Sequence, residues 1–78
     1  MANKILVYST PSCPYCIQVR QFLTENKIPF ENYDVAQDHN KAEEMVDKSG
    51  QMGVPVLDID GTIIIGFDKP KIKALLGI

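Results

Sequence analysis

Cys13-Pro14-Tyr15-Cys16 stands between two segments of different periodicity, and that junction constrains the fold more than any other feature of the chain. Ahead of it runs Ile5-Leu6-Val7-Tyr8, a short apolar stretch of the kind that forms a buried strand. Behind it Cys16, Val19 and Leu23 recur at helical spacing, joined by Phe22. Pro14 suits a first helical turn, because its fixed φ matches the helix and its missing N–H would have no partner there. The chain therefore passes from strand to helix with its only two cysteines at the turn. A thiol pair so placed can exchange with other disulfides, so redox chemistry is the leading reading.

The remaining segments extend this alternation. The first strand is read at 4–8 and the first helix at 14–26, with Asn26 and Pro29 bracketing its stop. Residues 30–35 alternate Phe30, Asn32 and Asp34 against Glu31, Tyr33 and Val35, a strand pattern. Asp38 is a good N-cap for a helix over 39–49, with Ala42, Met45, Val46 and Ser49 on its inner face and Gly50 as C-cap. Val56-Leu57-Asp58-Ile59 and Thr62-Ile63-Ile64-Ile65 flank Asp60-Gly61, a strong hairpin signal. A last helix is read over 69–76, capped by Asp68, with Pro70 in its first turn and Ile72, Leu75 and Leu76 facing inward. The order β-α-β-α-β-β-α predicts a parallel, right-handed first crossover followed by an antiparallel hairpin. The expected product is an α/β domain with a mixed four-stranded sheet and helices on both faces.

Seventy-eight residues suit a single domain over 1–78, and a hydrophobic fraction of 45% is ordinary for a globular chain. Apolar runs fall far short of the roughly 20 residues that cross a bilayer, so no membrane role is expected. Met1-Ala2-Asn3-Lys4 lacks the apolar centre of a signal peptide, which leads to a cytoplasmic expectation. In a reducing compartment, two cysteines this close make a poor structural staple and are better explained by reactivity. Net charge is −2, and Lys69, Lys71 and Lys73 have Asp58, Asp60 and Asp68 nearby in sequence. That is no concentrated basic face, so nucleic acid is not an expected partner. Metal is the competing use of the thiols. Zinc wants four ligands, and the chain offers no second C-x-x-C and a single histidine, His39. A zinc ion or iron–sulfur cluster would need ligands from a second chain or a thiol cofactor.

Three motifs carry the chemistry. Cys13 falls at the N-cap of the first helix, where unpaired N–H groups and the helix dipole favour a thiolate. Cys16, one turn further in, is placed to resolve a mixed disulfide formed at Cys13. In Gly53-Val54-Pro55-Val56 the proline opens a strand. A trans bond is favoured by frequency, whereas a cis bond would turn the Val54 N–H and C=O toward an incoming peptide; the residues alone leave both open. In Gly66-Phe67-Asp68, Gly66 ends a strand and Asp68 caps a helix, while the helix N-terminus adjoining them can meet a carboxylate.

In these residues and their order the chain resembles the glutaredoxins over nearly its whole length. Tyr8-Ser9-Thr10-Pro11-Ser12-Cys13-Pro14-Tyr15-Cys16 is similar to the opening of dithiol glutaredoxins. Glu43-Glu44-Met45 through Lys48-Ser49-Gly50, then Val54-Pro55, is similar to their second helix and cis-proline turn. Gly66-Phe67-Asp68 falls where they hold the γ-glutamyl end of glutathione. The resemblance implies a thioredoxin fold, a cis Val54–Pro55 bond, Cys13 as nucleophile and Cys16 as resolving thiol. It also implies a glutathione groove lined by Tyr15, Val54, Pro55, Gly66, Phe67 and Asp68. Glutathione is then the reducing co-substrate, disulfide or glutathionylated proteins are the partners, and the working unit is expected to be a monomer. Thr10 stands where many glutaredoxins carry a lysine, Gly53 where a threonine is usual, and Ile65-Gly66 where two glycines are usual. The C-terminal stretch is also similar to the glutaredoxin-like hydrogen donors of ribonucleotide reductase, which implies a flavoprotein of the thioredoxin-reductase type as a second possible electron source. A dimeric cluster carrier is the third reading.

Overall fold

The computed structural model describes residues 4–78; Met1, Ala2 and Asn3, part of the segment read above as lacking the apolar centre of a signal peptide, lie outside them. The order of elements is β1 (Ile5–Ser9), α1 (Pro14–Glu25), β2 (Glu31–Asp34), α2 (His39–Ser49), β3 (Val56–Ile59), β4 (Thr62–Ile65) and α3 (Lys69–Leu76). All seven expected elements are present, with bounds moved by a residue or so. The strands form one sheet in the order β2-β1-β3-β4. β1 and β2 run parallel, whereas β1–β3 and β3–β4 run antiparallel.

The alternation of side chains along β1 divides the core in two. Ile5 and Val7 join Leu57, Ile59 and Ile64 beneath Val19 and Leu23 of α1 and Ile72 and Leu76 of α3. Leu6 and Tyr8 turn to the other face and meet Val56 and Met45 of α2. Helices therefore cover both faces, which is why every residue of β1 is buried. β2, an edge strand, shares this alternation: Phe30 packs with the first cluster, Tyr33 and Val35 with the second. Leu75 differs from its expected place: it is 37% exposed. Ile72 and Leu76, spaced i and i+4, complete the inward stripe of a two-turn helix, and Leu75 falls outside it.

The turns follow from their residues. Asp60 and Gly61 both have positive φ, 50° and 93°, the signature of a two-residue type I′ hairpin. The Asp58 carboxylate accepts from the Gly61 N–H at 2.7 Å and tightens that turn. Each helix begins on an expected cap: Cys13, Asp38 and Asp68 accept from the backbone N–H of Cys16, Lys41 and Lys71. The topology has one consequence for chemistry. Tyr8 pairs with Val56, and Val56 with Ile65, so the end of β1, the start of β3 and the end of β4 share one end of the sheet. The cysteine turn leaves from that end.

Candidate active site

Four residues separate the end of β1 from the start of α1, and Cys13 is the last of them. Its backbone is extended, φ −85° and ψ 117°, as an N-cap requires. The sulfur occupies the position a serine or aspartate oxygen usually holds, accepting from the Cys16 N–H at 3.4 Å. Cys13 is partly exposed and Cys16 is fully buried, and both are free thiols. One sulfur is therefore open to solvent and the other lies one turn inside.

The two thiols differ in acidity for identifiable reasons. Partial burial pushes the Cys13 pKa up. The Cys16 thiol, the N–H groups of Cys16 and Tyr15 and the positive charge of Arg20 more than offset this, leaving it below the ordinary thiol value. For Cys16, burial dominates, and the hydrogen bond to Cys13 adds to it, pushing its pKa up to about 11. The pair thus divides into an acidic outer thiol and a protonated inner one. Arg20, partly buried and one turn beyond Cys16, has no ion-pair partner among the described residues. Its contribution was not read from the sequence, although the spacing Cys13, Cys16, Arg20 marks one stripe of a helix.

The loop from α2 to β3 brings the second part of the site. The Val54–Pro55 bond is cis, which decides the alternative left open by the residues alone. The Cys13 thiol donates to the Val54 carbonyl at 3.8 Å. The loop is held by its own side chains. Ser49 Oγ donates to the Met45 and Gln51 carbonyls, and the Gln51 carboxamide both donates to the Gly53 carbonyl and accepts from its N–H, each at 2.9 Å. Val54 leans on the α2-side core and Pro55 is buried.

The third part is the β4–α3 turn. Gly66 has φ +80°, a left-handed conformation that disfavours any side chain, and its N–H donates to the Pro55 carbonyl at 2.8 Å. That bond ties the turn to the cis-proline loop. Phe67 is partly buried and packs against the α1-side core, its ring 5.8 Å from that of Phe22. Asp68 is exposed and caps α3 through Lys71 N–H at 3.3 Å. Tyr15 is 61% exposed beside Cys13. The predicted residues therefore converge: Cys13 touches Cys16 and Val54, and Pro55 touches Gly66, which leads to Phe67 and Asp68. His39 stands apart, exposed at the start of α2. Among the described residues no three His, Cys, Asp or Glu side chains gather as a metal site, and no helix is long and apolar enough to cross a membrane.

A polar hub between α2 and the sheet was not foreseen. The Lys48 ammonium donates to Asp58 at 2.7 Å and to the Tyr8 hydroxyl at 3.0 Å, and Tyr8 donates to Glu44. Asp58 is 9% exposed and Tyr8 fully buried. A carboxylate inside the apolar run Val56-Leu57-Asp58-Ile59 was the available signal, since a buried charge demands a partner.

The chain is similar in sequence and fold to known proteins. The Glutaredoxin family profile matches residues 5–64. An uncharacterized glutaredoxin-like 8.6 kDa protein from the rubredoxin operon of Clostridium pasteurianum is 46% identical over 72 residues, covering 92% of this chain and 96% of that protein. Glutaredoxin 3 of Escherichia coli K12 is 34% identical over 68 residues, covering 87% of this chain and 81% of its own. The crystal structure of the thioredoxin-like protein BC3987 superposes with a TM-score of 0.87 at 33% identity, covering 92% of this chain and 99% of that one. With a thioredoxin-type sheet, a C-x-x-C turn at the head of α1 and relatives matched along most of its length, the chain belongs to the glutaredoxin family.

Proposed function

We propose that this protein is a thiol–disulfide oxidoreductase that reduces glutathione mixed disulfides and protein disulfides through Cys13 and Cys16. One observation carries the reading: an acidic, partly exposed sulfur on a helix N-cap, with a buried, protonated sulfur one turn behind it. The Cys13 thiolate attacks one sulfur of a substrate disulfide. A bond forms between that sulfur and Cys13, and the other sulfur leaves as a thiolate. Two routes complete the cycle. Cys16 can lose its proton and attack Cys13, expelling the second substrate thiolate and leaving a Cys13–Cys16 disulfide, which two electrons from a thiol reductant reopen. Alternatively a glutathione thiolate attacks the substrate sulfur held on Cys13, regenerating the Cys13 thiolate and releasing glutathione disulfide when that substrate is glutathione.

Glutathione is the reducing co-substrate in this reading, seated along Tyr15, Val54, Pro55, Gly66, Phe67 and Asp68. Val54 supports it, because its carbonyl already faces the Cys13 sulfur and an extended peptide could pair with its backbone. The N-terminus of α3 beside Asp68 supports a site for the γ-glutamyl group. We read the chain as one domain acting as a cytoplasmic monomer. A second reading, regeneration by a flavoprotein reductase, is favoured by the absence of any Lys, Arg or His from residues 10–16, 50–56 and 65–68. Glutathione would find no side-chain cation there for its carboxylates.

The test is NADPH consumption with a glutathione mixed disulfide, supplied in turn with glutathione plus glutathione reductase and with thioredoxin reductase. Turnover with either, lost in Cys13→Ser, supports the oxidoreductase reading, and the reductase that works identifies the electron source. Full turnover in Cys13→Ser would overturn the assignment.

A further inference from the structure

Among the described residues, the large apolar side chains most open to solvent are Met52 at 82%, Tyr15 at 61% and Ile65 at 54%. They are far apart in sequence, yet the fold brings all three to the end of the sheet that carries Cys13. Tyr15 lies in the first turn of α1, two residues past the reactive sulfur. Met52 lies two residues before Val54, whose carbonyl meets that sulfur at 3.8 Å. Ile65 pairs with Val56 at the close of β4, and the next residue, Gly66, is bonded to Pro55. Scattered exposed apolar residues need no explanation, but the three most exposed ones on segments that share one end of the sheet do.

The charges around them narrow the choice of occupant. The cysteine turn, the cis-proline loop and the β4–α3 turn, 10–16, 50–56 and 65–68, hold one charged side chain, Asp68, whose carboxylate caps α3. The end of β2, where Asp34 pairs with Ser9, and the start of α2 bring Asp34, Asp38 and His39 to the same end of the sheet. The neighbouring cations lie away from the rim. Lys69 places its ammonium 5.4 Å from the Phe22 ring, well down α1, and Arg20 lies two turns beyond Cys13. A disulfide bearing several carboxylates finds apolar surface and the like charges of Asp34, Asp38 and Asp68 here. An extended segment whose cystine is flanked by uncharged apolar side chains finds surface it can cover, next to the backbone of Val54.

We propose that the preferred oxidised substrate of this site is a protein disulfide in an extended, apolar, uncharged segment, with Tyr15, Met52 and Ile65 gripping the side chains that flank the cystine. This rests on Cys13 being the attacking sulfur. Electrons move as in the exchange above: the substrate disulfide gains two and leaves as two thiols, and Cys13 and Cys16 close to a disulfide.

The experiment uses two synthetic peptides with the same cystine, one flanked by leucine and valine, the other by glutamate and aspartate. The fully reduced protein is mixed with each in a single turnover at subsaturating concentration, so no recycling reductant is involved. Freed peptide thiol is followed by rapid quench. The apolar peptide should react about tenfold faster or more. Ile65→Ser and Met52→Ser, both at exposed positions that leave the core intact, should each lower the ratio of the two rates by about threefold. Equal rates, a faster acidic peptide, or variants that slow both peptides alike would overturn the proposal while leaving the dithiol chemistry standing. Reduction of neither peptide would overturn the oxidoreductase reading itself, and this proposal with it.

Discussion

The Cys13 thiol points at the carbonyl oxygen of Val54, 3.8 Å away across 41 residues of chain. Neither residue reaches the other through a shared element. Cys13 is set by the junction of β1 and α1, Val54 by the loop that joins α2 to β3. Their meeting follows from the antiparallel pairing of Tyr8 with Val56, which brings the end of β1 beside the start of β3. A partly exposed sulfur and the backbone of the cis-proline loop are thus joined by strand register.

The two thiols should separate kinetically. Cys16→Ser keeps the nucleophile, so it should retain turnover of a glutathione mixed disulfide, where a second glutathione completes the cycle. It should lose most turnover of a protein disulfide, where the resolving thiol must attack. Parallel assays on both substrates check this; equal loss on both would mean that Cys16 is needed for the first attack as well.

Lys48 joins α2 to β1 and β3 through Tyr8 and Asp58. Lys48→Met keeps the alkyl stem but leaves the Asp58 carboxylate, 9% exposed, without its cation. The expected loss is about 1–3 kcal/mol of unfolding free energy, below the cost of breaking a fully buried pair because Lys48 is partly solvated. Adding Asp58→Asn to Lys48→Met should recover part of it. Denaturant midpoints of the three proteins measure both effects, and an unchanged midpoint in Lys48→Met would show that the hub contributes nothing.

Gly66 can be tested without steric complication. A Cβ there would meet nothing within 4 Å, but φ is +80°. Gly66→Ala should therefore cost about 1–2 kcal/mol from backbone conformation alone. Because the Gly66 N–H holds Pro55 at 2.8 Å, the same variant should raise KM for a glutathione mixed disulfide more than it lowers kcat. Thermal unfolding and steady-state kinetics read the two effects separately.

Much of the architecture was legible because its signals were local. The Asp60-Gly61 turn, the caps Cys13, Asp38 and Asp68, and the apolar run of β1 are each decided by a few adjacent residues. Leu75 was misplaced because a helix as short as α3 can bury only a narrow stripe, and which stripe depends on the sheet beneath it. The Val54–Pro55 isomer could not be read from the residues alone, because local preference favours trans and the bond is cis. The Tyr8–Glu44–Lys48–Asp58 hub was also hidden. Glu44 and Lys48 have the i,i+4 spacing common on helix surfaces, and nothing local tells that β3 delivers a buried carboxylate to them.

The account depends on Cys13 being more acidic than an ordinary thiol and Cys16 less. A lowered pKa keeps the Cys13 thiolate populated as pH falls, whereas Cys16, with its pKa pushed up to about 11, stays protonated through the neutral range. The direct measurement is the pH dependence of alkylation at each cysteine of the reduced protein, resolved by mass spectrometry of the labelled peptides. The predicted result is a single fast site, Cys13, whose rate falls away only below the ordinary thiol pKa, with Cys16 silent until strongly alkaline pH. A Cys13 rate that halves at or above the ordinary thiol pKa, or equal labelling of both cysteines near neutrality, would contradict it.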